Sequence, residues 1–99
     1  MAPLREEMAL VKYVAWLTIV DADKNQRSRP QHLQYLNQLF LEGKVLMAGP
    51  FEDGTGGMVV YQNVDAESAW QLASGDPAVT SGARTVVVTP WVPLNFPMV

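Results

Sequence analysis

Between Lys12 and Val20 the chain reads KYVAWLTIV, with Tyr13, Ala15, Leu17 and Ile19 alternating against Val14, Trp16, Thr18 and Val20. A run this rich in β-branched and aromatic residues, spaced by two, forms a strand. Both of its faces are largely apolar, so it belongs inside a sheet that is covered on both sides. Gly56 to Gln62 repeats the pattern, because Val59 and Tyr61 alternate with Met58 and Val60. Both segments therefore have two apolar faces that need cover.

The rest of the pattern supplies the neighbours. A polar connection, Asp21 to Arg27, leads to a helix predicted from about Pro30 to Glu42 and stopped by Gly43, where a left-handed cap is common. Its start has two readings. Ser28 and Gln31 fit a capping box, whereas Pro30 at the first helical position makes Arg29 the cap, and the reluctance of a pre-proline residue to turn helical favours the second. At about 100° per residue, His32, Leu33, Tyr35, Leu36, Leu39 and Phe40 share the inward side, with Gln34, Asn37 and Gln38 opposite.

Val45 to Phe51 is a second strand, and Glu52-Asp53-Gly54-Thr55 turns the chain back into the third as a hairpin. Asp65 caps a helix reaching Ser74, with Ala66, Ala69, Trp70 and Ala73 on its inner side. Asp76 caps a further short turn opened by Pro77 and stopped by Gly82. Arg84 to Trp91 is the last strand, after which Pro93 and Pro97 keep the chain extended.

The order β-α-β-β-α-β describes a ferredoxin-like α+β fold, a four-stranded antiparallel sheet with both helices on one face. At 99 residues the chain is expected to be one domain, its core running from about 12 to 91 between extended N- and C-terminal tails. The helices cover one sheet face only. The other is too apolar for a soluble monomer, so a second copy is expected to cover it, in a homodimer or higher homo-oligomer.

Composition excludes several function classes. A net charge of −3 with seven scattered basic residues argues against nucleic acid. The absence of cysteine removes disulfides, thiol nucleophiles and cysteine-ligated metals. No stretch approaches a membrane span, and Arg5, Glu6 and Glu7 interrupt the apolar positions of Met1 to Leu10, so no signal peptide is expected and the reading is cytoplasmic, without a membrane partner. Gly54-Thr55-Gly56-Gly57 lacks the Lys-Ser/Thr ending of a phosphate loop and sits in a hairpin. Asp21-Ala22-Asp23-Lys24-Asn25 begins like a calcium loop, but Gln26 replaces the required glycine and His32 the bidentate glutamate. One histidine gives no metal-ligand spacing either, and neither a metal nor a cofactor is expected.

His32 is the single histidine, and only histidine titrates near neutral pH without perturbation. An isolated histidine on an apolar helix face is more often a core residue with backbone partners. Its place near a helix start, whose dipole favours the neutral ring, and the neighbouring Arg29, able to hold an anionic substrate, support a functional role instead. Asp76 reads first as a helix cap, and should it meet His32 it forms an acid-base pair as well. Of the three tryptophans, Trp70 and Trp91 suit the core or an interface, and Trp16, on a central strand, is the candidate to line a pocket.

Arg29-Pro30-x-His32-Leu33, Gly43, Ala48-Gly49-Pro50, the glycine-rich hairpin, Asp76-Pro77 and Gly82 together resemble the YciI-like, or YCII-related, family over about Tyr13 to Trp91. The resemblance implies a dimeric α+β barrel of ferredoxin-like subunits, similar to muconolactone isomerases, with a His–Asp pair that falls on His32 and Asp76. One characterised relative dehydrochlorinates a chlorinated hydroxyquinol, which implies acid-base chemistry on a small cyclic or phenolic compound. The corresponding expectation is a cofactor-independent lyase or isomerase with His32 and Asp76 catalytic and Arg29, Gly49 and Trp16 binding substrate. The alternative is a non-catalytic, ligand-binding or regulatory dimeric module. Family members often carry an aromatic residue after the Asp-Pro, where this chain has Ala78, a smaller side chain expected to enlarge or open the pocket.

Overall fold

The computed structural model describes residues 10–97. Its elements are β1 (Lys12–Ile19), α1 (Ala22–Leu41), β2 (Val45–Pro50), β3 (Gly56–Tyr61), α2 (Ala66–Ser74), a single-turn α3 (Pro77–Thr80) and β4 (Arg84–Trp91). The sheet order is β2-β3-β1-β4 with every pair antiparallel, which puts β1 and β3 at the centre as their two apolar faces require. This is the ferredoxin-like α+β arrangement. The predicted N-terminal tail and the signal-peptide reading of Met1 to Leu10 fall almost wholly outside the described residues.

The largest departure from the sequence reading is the start of α1. The helix begins at Ala22, so the segment read as a polar connection forms its first two turns, and neither Ser28 nor Arg29 is the cap. Asp21 caps it instead, its carboxylate accepting from the Lys24 N–H at 3.0 Å, with Asp23 adding favourable charge in the first turn. Pro30 then lies inside the helix, where its ring removes one backbone hydrogen bond to Gln26. Both residues are exposed, so water is available to the carbonyl that loses its partner.

The other end follows expectation. Gly43 takes the left-handed conformation (φ +79°), its N–H bonding to the Phe40 carbonyl at 3.0 Å while Lys44 N–H reaches Leu39 at 2.8 Å. These two bonds make a Schellman motif.

Ala15, Leu17, Val59 and Tyr61 form the sheet side of the core, against Leu36 and Leu39 of α1 and Ala73 of α2. The buried stripe of α1 is narrower than predicted, because Leu33 and Phe40 are exposed. On α2, likewise, Ala69 and Ala73 are buried while Ala66 and Trp70 face outward. A helix packed on one flat sheet needs only the middle of its apolar arc, and the flanks remain open.

Two glycines let the strands close at one end. A Cβ at Gly56 would collide with the Leu17 carbonyl of β1, and one at Gly57 would stand 2.7 Å from the Gly49 carbonyl of β2. Their absence draws the Gly49–Pro50 end of the edge strand against β3, below α1.

On the sheet face away from the helices, Val14 and Val60 are buried, but Trp16, Val87 and Trp91 are exposed. Val14, Trp16, Met58, Thr89 and Trp91 line an apolar hollow of about 240 Å³ there. Trp16 stacks on Phe51 at 6.1 Å between ring centroids and donates its indole N–H to Thr89 Oγ1 at 3.3 Å.

Candidate active site

His32 sits about three turns into α1, on its buried stripe, and Asp76 immediately precedes α3. The packing of α3 against α1 brings them together. His32 Nδ1–H donates to both Asp76 oxygens, at 2.8 Å to Oδ1 and 2.9 Å to Oδ2. The pair is enclosed, with His32 6% and Asp76 0% exposed.

Asp76 also caps α3, Oδ1 accepting the Ala78 N–H at 2.9 Å. Pro77 at the first helical position and Gly82 (φ +82°) at the stop hold this turn rigidly. The carboxylate is therefore oriented by its own backbone before the imidazole meets it. The cap and the His32 contact are compatible functions of one side chain.

The location of His32 overturns one argument from sequence. With the helix starting at Ala22, the ring lies beyond the first turn, where the helix dipole has little influence. Its tautomer follows instead from Asp76. A carboxylate accepts, so Nδ1 carries the proton and Nε2, on the opposite edge of the ring, is left as the basic nitrogen.

His32 opens on a cavity of about 150 Å³ between α1 and the β2 end of the sheet. Leu17, Leu33, Leu36 and Val59 form its apolar wall, Ala48, Gly49 and Pro50 its rim on the edge strand, and Arg29 and Arg84 its charged boundary. Arg29 is one helical turn before His32, which puts both on the same side of α1. Gly49 enters through the close β2–β3 approach described above. The structure thus brings His32, Asp76, Arg29 and Gly49 into one region.

Trp16 is not part of it. Strand alternation sends Leu17 toward the cavity and Trp16 to the opposite sheet face, where Trp16, expected to line a substrate pocket, lines the apolar hollow instead of the His32 cavity. Ala78 is buried, and it does not line the cavity, so its small size does not open the pocket as expected.

Arg84 was missed. It is the first residue of β4, 7% exposed, and its Nε–H donates to Asn25 Oδ1 at 2.7 Å. Asn25 lies in the part of α1 that the sequence reading treated as connection, and that misreading hid the contact. Burial pulls the Arg84 guanidinium below its ordinary pKa; Asp76 opposes this shift and Arg29 adds to it. Tyr35 does not line the cavity and donates its hydroxyl to the Leu72 carbonyl at 2.7 Å. Its phenol is pushed up by burial and, secondarily, by the Asp76 charge. Among the described residues no group of three or more His, Asp or Glu side chains is placed to hold a metal ion.

Comparison with known proteins agrees with this architecture. The model of the YCII-related domain family matches residues 11–92. The uncharacterized protein YjpA of Bacillus subtilis (strain 168) is 33% identical over 75 residues, covering 76% of this chain and 88% of its own. The 5-chloro-2-hydroxyhydroquinone dehydrochlorinase TftG of Burkholderia phenoliruptrix AC1100, solved in complex with 2,5-dihydroxybenzoquinone, superimposes with a TM-score of 0.66. That similarity covers 81% of this chain and 92% of TftG at 18% identity, and it is a likeness of fold. A ferredoxin-like domain with a buried His–Asp pair over a small cavity defines the class. The chain belongs to the YCII-related family. Among the described residues, no helix is long and apolar enough to cross a membrane.

Proposed function

We propose that this protein is a cofactor-independent enzyme of lyase or isomerase type, acting on a small cyclic or phenolic compound in the cytoplasm. The observation that carries the reading is the buried His32–Asp76 pair, with both carboxylate oxygens within 2.9 Å of Nδ1 and the ring on a cavity wall. Asp76 fixes the tautomer, and Nε2 removes a proton from the bound compound. The imidazolium that forms is stabilised by the carboxylate beside it. Returning the proton to another atom of the same molecule gives an isomerase; loss of a leaving group from the neighbouring carbon gives a lyase. Arg29 and the Gly49 backbone position the substrate. The cyclic ligand named for TftG agrees with a substrate of this size, and the comparison enters only as support for that class.

The exposed apolar sheet face, with Trp16, Val87 and Trp91, is the surface on which we place the homodimer contact.

The test is a screen of small cyclic and phenolic compounds for His32-dependent turnover, read alongside solvent deuterium incorporation. His32→Ala should lower conversion by ~10²–10⁴-fold, and Asp76→Asn should lower it as well. A compound bound in the cavity by wild type and never converted or exchanged would favour the ligand-binding module instead.

A further inference from the structure

We propose that Arg84 is the residue that reads the charge of the ligand, and that the ligand of the His32 cavity is a single-ring compound bearing one anionic oxygen group. The inference rests on the reading of this cavity as a substrate site and names the class of molecule it takes.

Three observations carry it. First, Arg84 is enclosed, and its nearest described partner is neutral: Nε–H bonds to Asn25 Oδ1 at 2.7 Å. Among the described residues the only ion pairs are His32–Asp76 and Lys44–Glu42, so no carboxylate meets the Arg84 or Arg29 guanidinium. A buried guanidinium cannot shed its proton, and without a counter-ion it is costly.

Second, the local charges do not balance. With His32 neutral, as a base must be, Arg29, Arg84 and Asp76 leave an excess of positive charge, although the whole chain carries −3. One anionic group on the ligand cancels it. Asp76 is already counted in that sum: its one charge offsets only one of the two guanidinium groups, and it makes no direct ion pair with either.

Third, the size is limiting. The cavity is about 150 Å³ and walled by Leu17, Leu33, Leu36 and Val59. An apolar cavity of roughly this volume accommodates benzene. A single ring therefore fills the apolar part, and its anionic group reaches the charged boundary. The Asn25 contact holds the guanidinium on one side, leaving its remaining N–H groups for a carboxylate or phenolate oxygen.

The experiment uses three probes on the intact protein by titration calorimetry and thermal shift: benzoate, 4-nitrophenolate at mildly alkaline pH, and neutral benzamide. The expected result is saturable binding of an anion, at least tenfold tighter than benzamide, and weakening as salt is raised. Tighter benzoate identifies a carboxylate ligand, and tighter 4-nitrophenolate a phenolic one. Arg84→Met should lose that preference and Arg84→Lys should keep part of it, while His32→Gln should still bind the anion.

Equal affinity for benzamide and both anions, no anion binding at all, or full preference in folded Arg84→Met would each overturn the inference. If Arg84→Met does not fold, Arg84→Lys set against Arg29→Met decides it: the preference for benzoate over benzamide must weaken in the first and persist in the second, and the opposite result overturns the assignment. The proposed reaction fails separately. Anion binding without His32-dependent turnover would sink the enzyme and leave the Arg84 assignment standing, whereas His32-dependent turnover of neutral compounds would do the reverse.

Discussion

The two faces of the sheet each carry a cavity, and they are opposite in character. Under the helices, about 150 Å³ is bounded by His32, Arg29 and Arg84; on the far face, about 240 Å³ is lined by Val14, Trp16, Met58, Thr89 and Trp91, without a single charge. A small reacting molecule has to be oriented to within a fraction of an ångström, which takes directional, charged partners in a low-dielectric setting. A protein surface in contact with a second copy needs chiefly apolar area. The same strand, β1, lines both cavities, with Leu17 on one side and Trp16 on the other.

The sharpest way to break this contrast is to remove a group from each face. His32→Ala should lower turnover of an identified substrate by ~10²–10⁴-fold, the usual effect of losing a general base. Trp16→Ala should change it by no more than a few-fold. Equal losses in steady-state kinetics would mean that the two cavities are not functionally separate.

Next in size is the stability of the buried pair. Asp76→Ala removes the acceptor for His32 and the cap of α3 together, and urea unfolding should show a loss of about 2–4 kcal/mol from an unpaired buried N–H and a lost cap. A small loss would mean that water or a neighbour replaces the carboxylate. Gly56→Ala, at the closing point of the strands, should cost about 2 kcal/mol, since backbone of β1 rather than a flexible side chain stands in the way.

On the far face, Val87→Glu should shift sedimentation from dimer to monomer at micromolar concentration while leaving the folded state intact. Unchanged sedimentation would remove this face as the contact.

The smallest effect concerns pH. Burial pushes the Tyr61 phenol up, with Asp76 and Tyr35 adding to it. Below the ordinary tyrosine pKa of about 10, the folded and unfolded chains both hold the proton and the fold keeps its full stability. Above it the unfolded chain ionises first, so stability should fall as pH rises. Unfolding midpoints measured in the alkaline range should show this slope, and Tyr61→Phe should flatten it.

Much of the fold was legible because period-two apolar segments and turn chemistry act locally. The β-α-β-β-α-β order placed β1 and β3 at the sheet centre, and Gly43 and Gly82 ended their helices where left-handed backbone was needed. The helix start was misread because Pro30 carries a strong local signal for a first turn, yet Asp21 caps eight residues of polar helix ahead of it. That error had a consequence for the site. With Asp21 to Arg27 taken as connection, Asn25 had no defined position, and Arg84 was only the beginning of a strand.

By itself the sequence determined the order of the elements, the centrality of β1 and β3, and the short list of side chains able to move a proton. These depend on spacing along the chain and on residue chemistry. Tertiary structure alone decided that His32 and Asp76 meet across 44 positions of sequence, that Arg84 joins Arg29 at one cavity, and that Trp16 is turned away from it. Such relations depend on which way a strand presents its alternate residues and on how α3 packs against α1, and neither is encoded in local spacing.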